Sequence, residues 1–210
     1  MTRGPGPRRT VAPRALPVLL ATALLATGCI REGTSVSGEI PACTAGDDAT
    51  AANGVVLMAQ SVPTAAWVPC VENVPVGWTF AGLDARSGSA RFWLDSDRDG
   101  VHAIEVRLTG GCDTRGATEI PSELDDLRRF ERVTQVSPQY HGRRYYVFDG
   151  GCLTVVFTLS GDNRGEPLAL ATQSLGVVSR EDLATQVHDE SGGRLHLDPP
   201  ADTEGEGDPP

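Results

Sequence analysis

The sequence predicts an α+β fold: a single domain over residues 43–198, an antiparallel β-sheet with C-terminal helices, tied by two disulfides. Three observations predict it. Apolar and polar residues alternate through the middle of the chain, the period of a half-buried strand. Glycine-rich turn sequences, Asp97-Arg98-Asp99-Gly100 and Gly150-Gly151, punctuate those runs. Toward the C-terminus apolar residues recur at helical spacing instead, at Leu168, Ala171, Leu175 and Val178 and then at Leu183 and Val187.

In chain order, Gly54–Gln60 (GVVLMAQ) reads either as a strand or as a helix begun upstream. Thr79–Arg86 is expected to be a strand. In Arg91–Leu94, Phe92 and Leu94 fall on one face; after Gly100, Ile104, Val106 and Leu108 share a face opposite Ala103, Glu105, Arg107 and Thr109. These two runs form a hairpin across the aspartate-rich turn. A second hairpin joins Arg144–Asp149 to Cys152–Leu159 through Gly150-Gly151, with Phe148 opposite Leu153 and Tyr146 opposite Val155. Residues 113–140 stay open. Ser122-Glu123-Leu124-Asp125 has the spacing of a helix cap, whereas Phe130–Val136 also fits an edge strand. Pro167 suits the first turn of one helix, and Ser179-Arg180-Glu181-Asp182 opens a second, which Gly192-Gly193 ends. A short strand over 194–197 closes the domain.

The first 28 residues carry Arg3, Arg8, Arg9 and Arg14, no acid, and an apolar run from Ala15 to Gly28 (ALPVLLATALLATG). A basic start followed by an apolar run too short for a membrane helix is the pattern of a secretory signal peptide. The run ends in Leu25-Ala26-Thr27-Gly28-Cys29, which resembles the lipobox of bacterial lipoproteins. The resemblance implies cleavage before Cys29, diacylglycerol on its sulfur and acylation of the new amino terminus. Two or more acyl chains make membrane residence stable. Residues 29–42 are then a lipidated N-terminus and tether, and 199–210 (PPADTEGEGDPP) a disordered acidic tail with too little apolar surface to fold.

Beyond Cys29 stand four cysteines, Cys43, Cys70, Cys112 and Cys152, with no C-x-x-C pair among them. An even set without metal-ligand spacing reads as two disulfides formed in an oxidising compartment. Three connectivities are possible, and the sequential one is favoured. All 18 basic residues are arginine; four precede Cys29, leaving 14 against 28 acids in residues 29–210. Nucleic acid is therefore not an expected partner, because phosphate binding needs clustered cations.

Asp95, Asp97 and Asp99, followed by Gly100, match the first ligand positions of an EF-hand loop, but Val106 stands where the bidentate glutamate belongs and the flanks have strand period. A structural turn is the favoured reading, and weak calcium binding the alternative; no other cofactor is expected. His102, His141, His188 and His196 lie in separate segments and no nucleophile motif is present, so no catalytic residue is assigned. Trp67, Trp78 and Trp93 read as core. Arg143-Arg144-Tyr145-Tyr146 is the candidate recognition patch, cationic and aromatic on an acidic protein. The function expected is that of a lipid-anchored, extracytoplasmic, non-catalytic module that binds an envelope protein or a ligand. The alternatives are a cell-envelope hydrolase and a calcium-binding structural module.

Overall fold

The computed structural model describes residues 34–36, 39–43, 53–122, 124, 126–160 and 165–198. The expected signal peptide, Cys29 and the acidic tail lie outside the described residues. Strands β1 (Thr34–Val36), β3 (Trp78–Arg86), β4 (Ser89–Ser96), β5 (Gly100–Thr109), β6 (Thr118–Ile120), β7 (Arg128–Gln135), β8 (Tyr140–Phe148) and β9 (Gly151–Leu159) form one antiparallel sheet. Their order is β1-β3-β4-β5-β9-β8-β7-β6. Strand β2 (Trp67–Val71) pairs separately with β10 (Leu175–Ser179). Helices α1 (Asn53–Ser61), α2 (Gly165–Gln173) and α3 (Arg180–Glu190) complete the described elements. Among the described residues the fold is thus mainly β, with three short helices, one of them N-terminal to the sheet's main run. No helix among the described residues is long and apolar enough to cross a membrane.

The period of the strands decides which face is covered. In β4, Ala90, Phe92, Leu94 and Ser96 are buried while the residues between them are half-buried. Across the register Phe92 meets Val106, which meets Val155. The three lie with Leu94, Ile104 and Phe157 in one core. Each such side chain contributes roughly 1.5–3 kcal/mol when taken out of water. The opposite face carries two rows read directly from the pairing. One runs Trp93, Glu105, Val156, Arg143, Arg132; the other runs Arg91, Arg107, Thr154, Tyr145, Phe130, Glu119.

Several expectations are corrected by pairing between distant segments. Residues 34–36, read as tether, form the edge strand β1 against β3. The stretch 54–60, left open between strand and helix, is helical as part of α1. Leu175 and Val178 do not extend α2; they belong to β10, which zips onto β2. The segment 194–197 is not a strand. Within 113–140, β7 is a strand and β6 lies outside it, so β7 is not the sheet's edge. The second hairpin keeps its faces but slips by one pair: Tyr146 meets Leu153 and Phe148 meets Gly151, leaving Asp149-Gly150 as the loop. Both glycines of the turn sit where the backbone is closely approached. A Cβ on Gly150 would lie 1.8 Å from the Thr64 carbonyl oxygen, and one on Gly151 would lie 2.5 Å from the Phe148 ring. The loop is also held by Thr64 Oγ1 donating to the Gly150 carbonyl at 2.7 Å.

The cysteines pair sequentially, Cys43 with Cys70 and Cys112 with Cys152. The cap of α3 is as expected: Ser179 has an extended backbone and its hydroxyl accepts from the Asp182 amide. Beneath it Arg180 is buried, donating to the Ala59 carbonyl in the last turn of α1 and to the Asp198 carbonyl, both at 2.7 Å. It thereby satisfies a carbonyl that a helix end leaves without an intrahelical donor, and burial lowers its pKa.

Candidate functional site

The aspartate-rich loop is a three-residue hairpin turn between Ser96 and Gly100, with Gly100 at φ 97°. Asp95 and Asp99 accept hydrogen bonds within and beside the turn. Asp99 Oδ1 accepts from the Ser160 amide at 2.7 Å, and its Oδ2 accepts from the Ser96 hydroxyl at 2.9 Å. Asp95 Oδ1 accepts from the His102 amide at 2.7 Å, across a bulge in which His102 adopts φ 54°. Asp97 and Asp99 border a hollow of about 220 Å³ that Glu166 also lines, whereas Asp95 does not. Among the described residues no three His, Cys, Asp or Glu side chains converge as a metal-ligand group. The bulge also turns His102 away from Ile104 and onto Trp93, with ring centroids 5.0 Å apart, while the Arg91 guanidinium lies 5.0 Å from the same indole.

Strand alternation divides the expected recognition patch. Arg143 is exposed and Tyr145 buried on the side of the sheet away from the core; Tyr145 accepts from Arg132 at 3.1 Å. Arg144 and Tyr146 point to the other side, where Tyr146 joins the core. The four residues therefore do not form one surface. They are consecutive in the chain, but a strand sends neighbours to opposite faces.

What the split does build is a groove. Arg144 reaches Glu131 on β7, donating from Nε at 2.9 Å and from Nη2 at 2.7 Å, and its Nη1 lies 3.4 Å from the Thr172 hydroxyl on α2. The two charged side chains are 14% and 21% exposed. Burial works against the charge on Arg144, but hydrogen bonds and charge interactions with Glu131 and Tyr146 together outweigh it and raise the pKa. Tyr140 stacks on Phe157 at 5.1 Å. Its hydroxyl pKa is raised by burial and by the Glu131 charge. Around these residues lies a cavity of about 620 Å³ between α2 and strands β7 and β8, bordered also by Ser122, Arg129 and Gln173. At Thr172 and Gln173 it adjoins a second hollow of about 190 Å³ lined by Leu124, Tyr146, Leu153, Leu175 and Val177. One end of the groove is thus charged and the other apolar.

The remaining histidines are also placed. His141 Nδ1 lies 3.0 Å from the Thr134 hydroxyl on the exposed rim of β7 and β8. His188 and His196, distant in the sequence, stand side by side. Glu131 and Thr172 were missed in the sequence because each joins Arg144 only through tertiary structure, and no local motif marks either. No protein-family model, curated protein or solved structure matches the chain.

Proposed function

We propose that the protein is a non-catalytic binding module, anchored by lipid on Cys29 to the extracytoplasmic face of the cell membrane. The groove between α2 and strands β7 and β8 is its ligand seat. The ligand is a small molecule that joins an anionic head to a short apolar portion. The observation carrying this reading is the half-buried Arg144–Glu131 pair on the groove floor. A guanidinium held in one orientation by a carboxylate is preorganised to donate its remaining N–H groups to carboxylate or phosphate oxygens. Arg129 lines the same groove and places a second guanidinium on its wall. The adjoining apolar hollow accommodates a hydrocarbon segment, and the cavity volume falls within the roughly 300–1,000 Å³ of small-ligand sites. The two disulfides support an oxidising compartment. The leader ending in Cys29 supports the anchor. No cofactor enters this reading.

The test is a calorimetric titration with octanoate and octyl phosphate, with octanol as the uncharged control, run below the melting temperature of every variant. Saturable binding of either anion, absent for octanol and weakened at least tenfold in Arg144→Gln, is expected. Equal binding to both proteins, or none to the parent, overturns the groove as an anion seat. The anchor is tested separately: Cys29→Ser is expected to leave the membrane fraction and to lack acyl mass.

A further inference from the structure

We propose that His188 and His196 form a binding site for a divalent transition-metal ion of the zinc class, each residue ligating through Nδ1. His188 occupies the last turn of α3. After it the chain reverses through Gly192 and Gly193, both at positive φ, and runs back so that the His196 ring lies 4.9 Å from that of His188. The two Nδ1 atoms are 3.4 Å apart. Two nitrogens bound to one tetrahedral zinc at about 2.0–2.1 Å must stand roughly 3.3–3.4 Å from each other. A nitrogen donor in a direct hydrogen bond more often lies at about 2.9–3.0 Å. The spacing therefore matches a shared ion better than a simple ring-to-ring bond.

The second ligand is held in place before any ion arrives. Ser191 Oγ donates to the His188 carbonyl at 3.0 Å and accepts from the Arg194 and Leu195 amides at 3.1 and 2.8 Å. Beyond His196, Leu197 is buried, and Asp198 is fixed by Arg180 on its carbonyl and Gln60 on its amide. With both flanks fixed, little conformational entropy remains to be lost on binding. Gly193, at φ 79°, lies directly beside the His188 ring: the position a Cβ would take there is 3.4 Å from it. Both rings are exposed, so an ion has direct access. Since no third protein ligand converges among the described residues, water completes the shell. Binding is consequently weaker than in a four-ligand structural site, and the ion clips the C-terminal segment to the end of α3.

The experiment uses the full chain in detergent without a polyhistidine tag, titrated with zinc chloride in a calorimeter. One zinc per chain is expected, with affinity reduced at least tenfold in His188→Ala and in His196→Asn. The latter substitution lies at an exposed position outside any helix, and so separates loss of the ligand from damage to α3. Nitrogen-15 imidazole spectra are expected to shift at Nδ1 of His188 and His196 and to stay unchanged for His102 and His141. Calcium and magnesium are expected to leave those spectra unaltered, as hard cations prefer oxygen. Absence of saturable zinc binding up to millimolar concentration overturns the proposal, as does equal binding by the parent and both variants.

Discussion

At the rim of the sheet Arg115 folds back on Asp113, donating from Nε and Nη2 to its carboxylate while its own amide donates as well. The side-chain bond first, and the amide after it, hold the Asp113 pKa at about 2, below the ordinary 3.8. A pKa lower in the folded chain favours folding above about 3.8, and that contribution is lost as pH falls through about 2. A carbon-detected titration is therefore expected to give Asp113 a midpoint near 2, moving toward the ordinary range in Arg115→Gln. An unmoved midpoint would contradict the role given to Arg115. Arg144 is a different case, because its partner is half-buried. Arg144→Met strands the Glu131 charge and is expected to cost about 2–3 kcal/mol in denaturant unfolding. The double variant Arg144→Met with Glu131→Met is expected to recover most of that loss. A double variant as unstable as the single one would mean that the guanidinium matters through packing instead.

Among the elements, the β8–β9 hairpin shows how a correct signal can carry an incomplete reason. Gly150-Gly151 does mark a tight turn, and Gly150 sits at φ 67°. Yet the segment at Thr64 packs against the loop and leaves no room for a side chain at Gly150, which alternation within the hairpin cannot reveal. Gly150→Ala is expected to destabilise by about 3 kcal/mol, combining strain at positive φ with a clash against backbone. A melting midpoint unchanged in that variant would mean that residues 64–66 can move aside. Strand β10 was hidden for a related reason. Leu168, Ala171, Leu175 and Val178 keep helical spacing, but Gly176-Val177-Val178 finds its partner in β2, more than a hundred positions away. β2 itself contains Pro69, which lacks an amide donor and so disguises a strand. The α3 cap, by contrast, was legible because all its determinants lie within four residues.

For the molecule as a whole, the antiparallel sheet, the positions of both principal hairpins, the two C-terminal helices and the presence of two disulfides could be read from local periodicity, turn residues and cysteine count, whereas the cysteine count left three connectivities open. The groove could not. Arg144 was singled out, but Glu131 comes from β7 and Thr172 from α2, and only the tertiary fold brings them within hydrogen-bond range. The sheet order also has a kinetic consequence. Strands β3, β4 and β5 follow one another in space as in sequence, and so do β6, β7, β8 and β9. Each set can close through short loops, whereas the β5–β9 ladder joining them, Ile104–Phe157 through Thr109–Cys152, must wait for a long loop. Contacts of that range slow folding, since loop entropy is lost before the ladder forms. The Cys112–Cys152 bond lies at the end of this ladder and spans 40 positions, a closure worth about 4 kcal/mol in the chain-entropy model. Replacing both cysteines by serine is expected to lower stability by about that amount and to slow refolding rather than only speed unfolding. The covalent link thus acts as a folding nucleus supplied in advance, bringing together in the unfolded chain the two halves that diffusion would be slowest to unite.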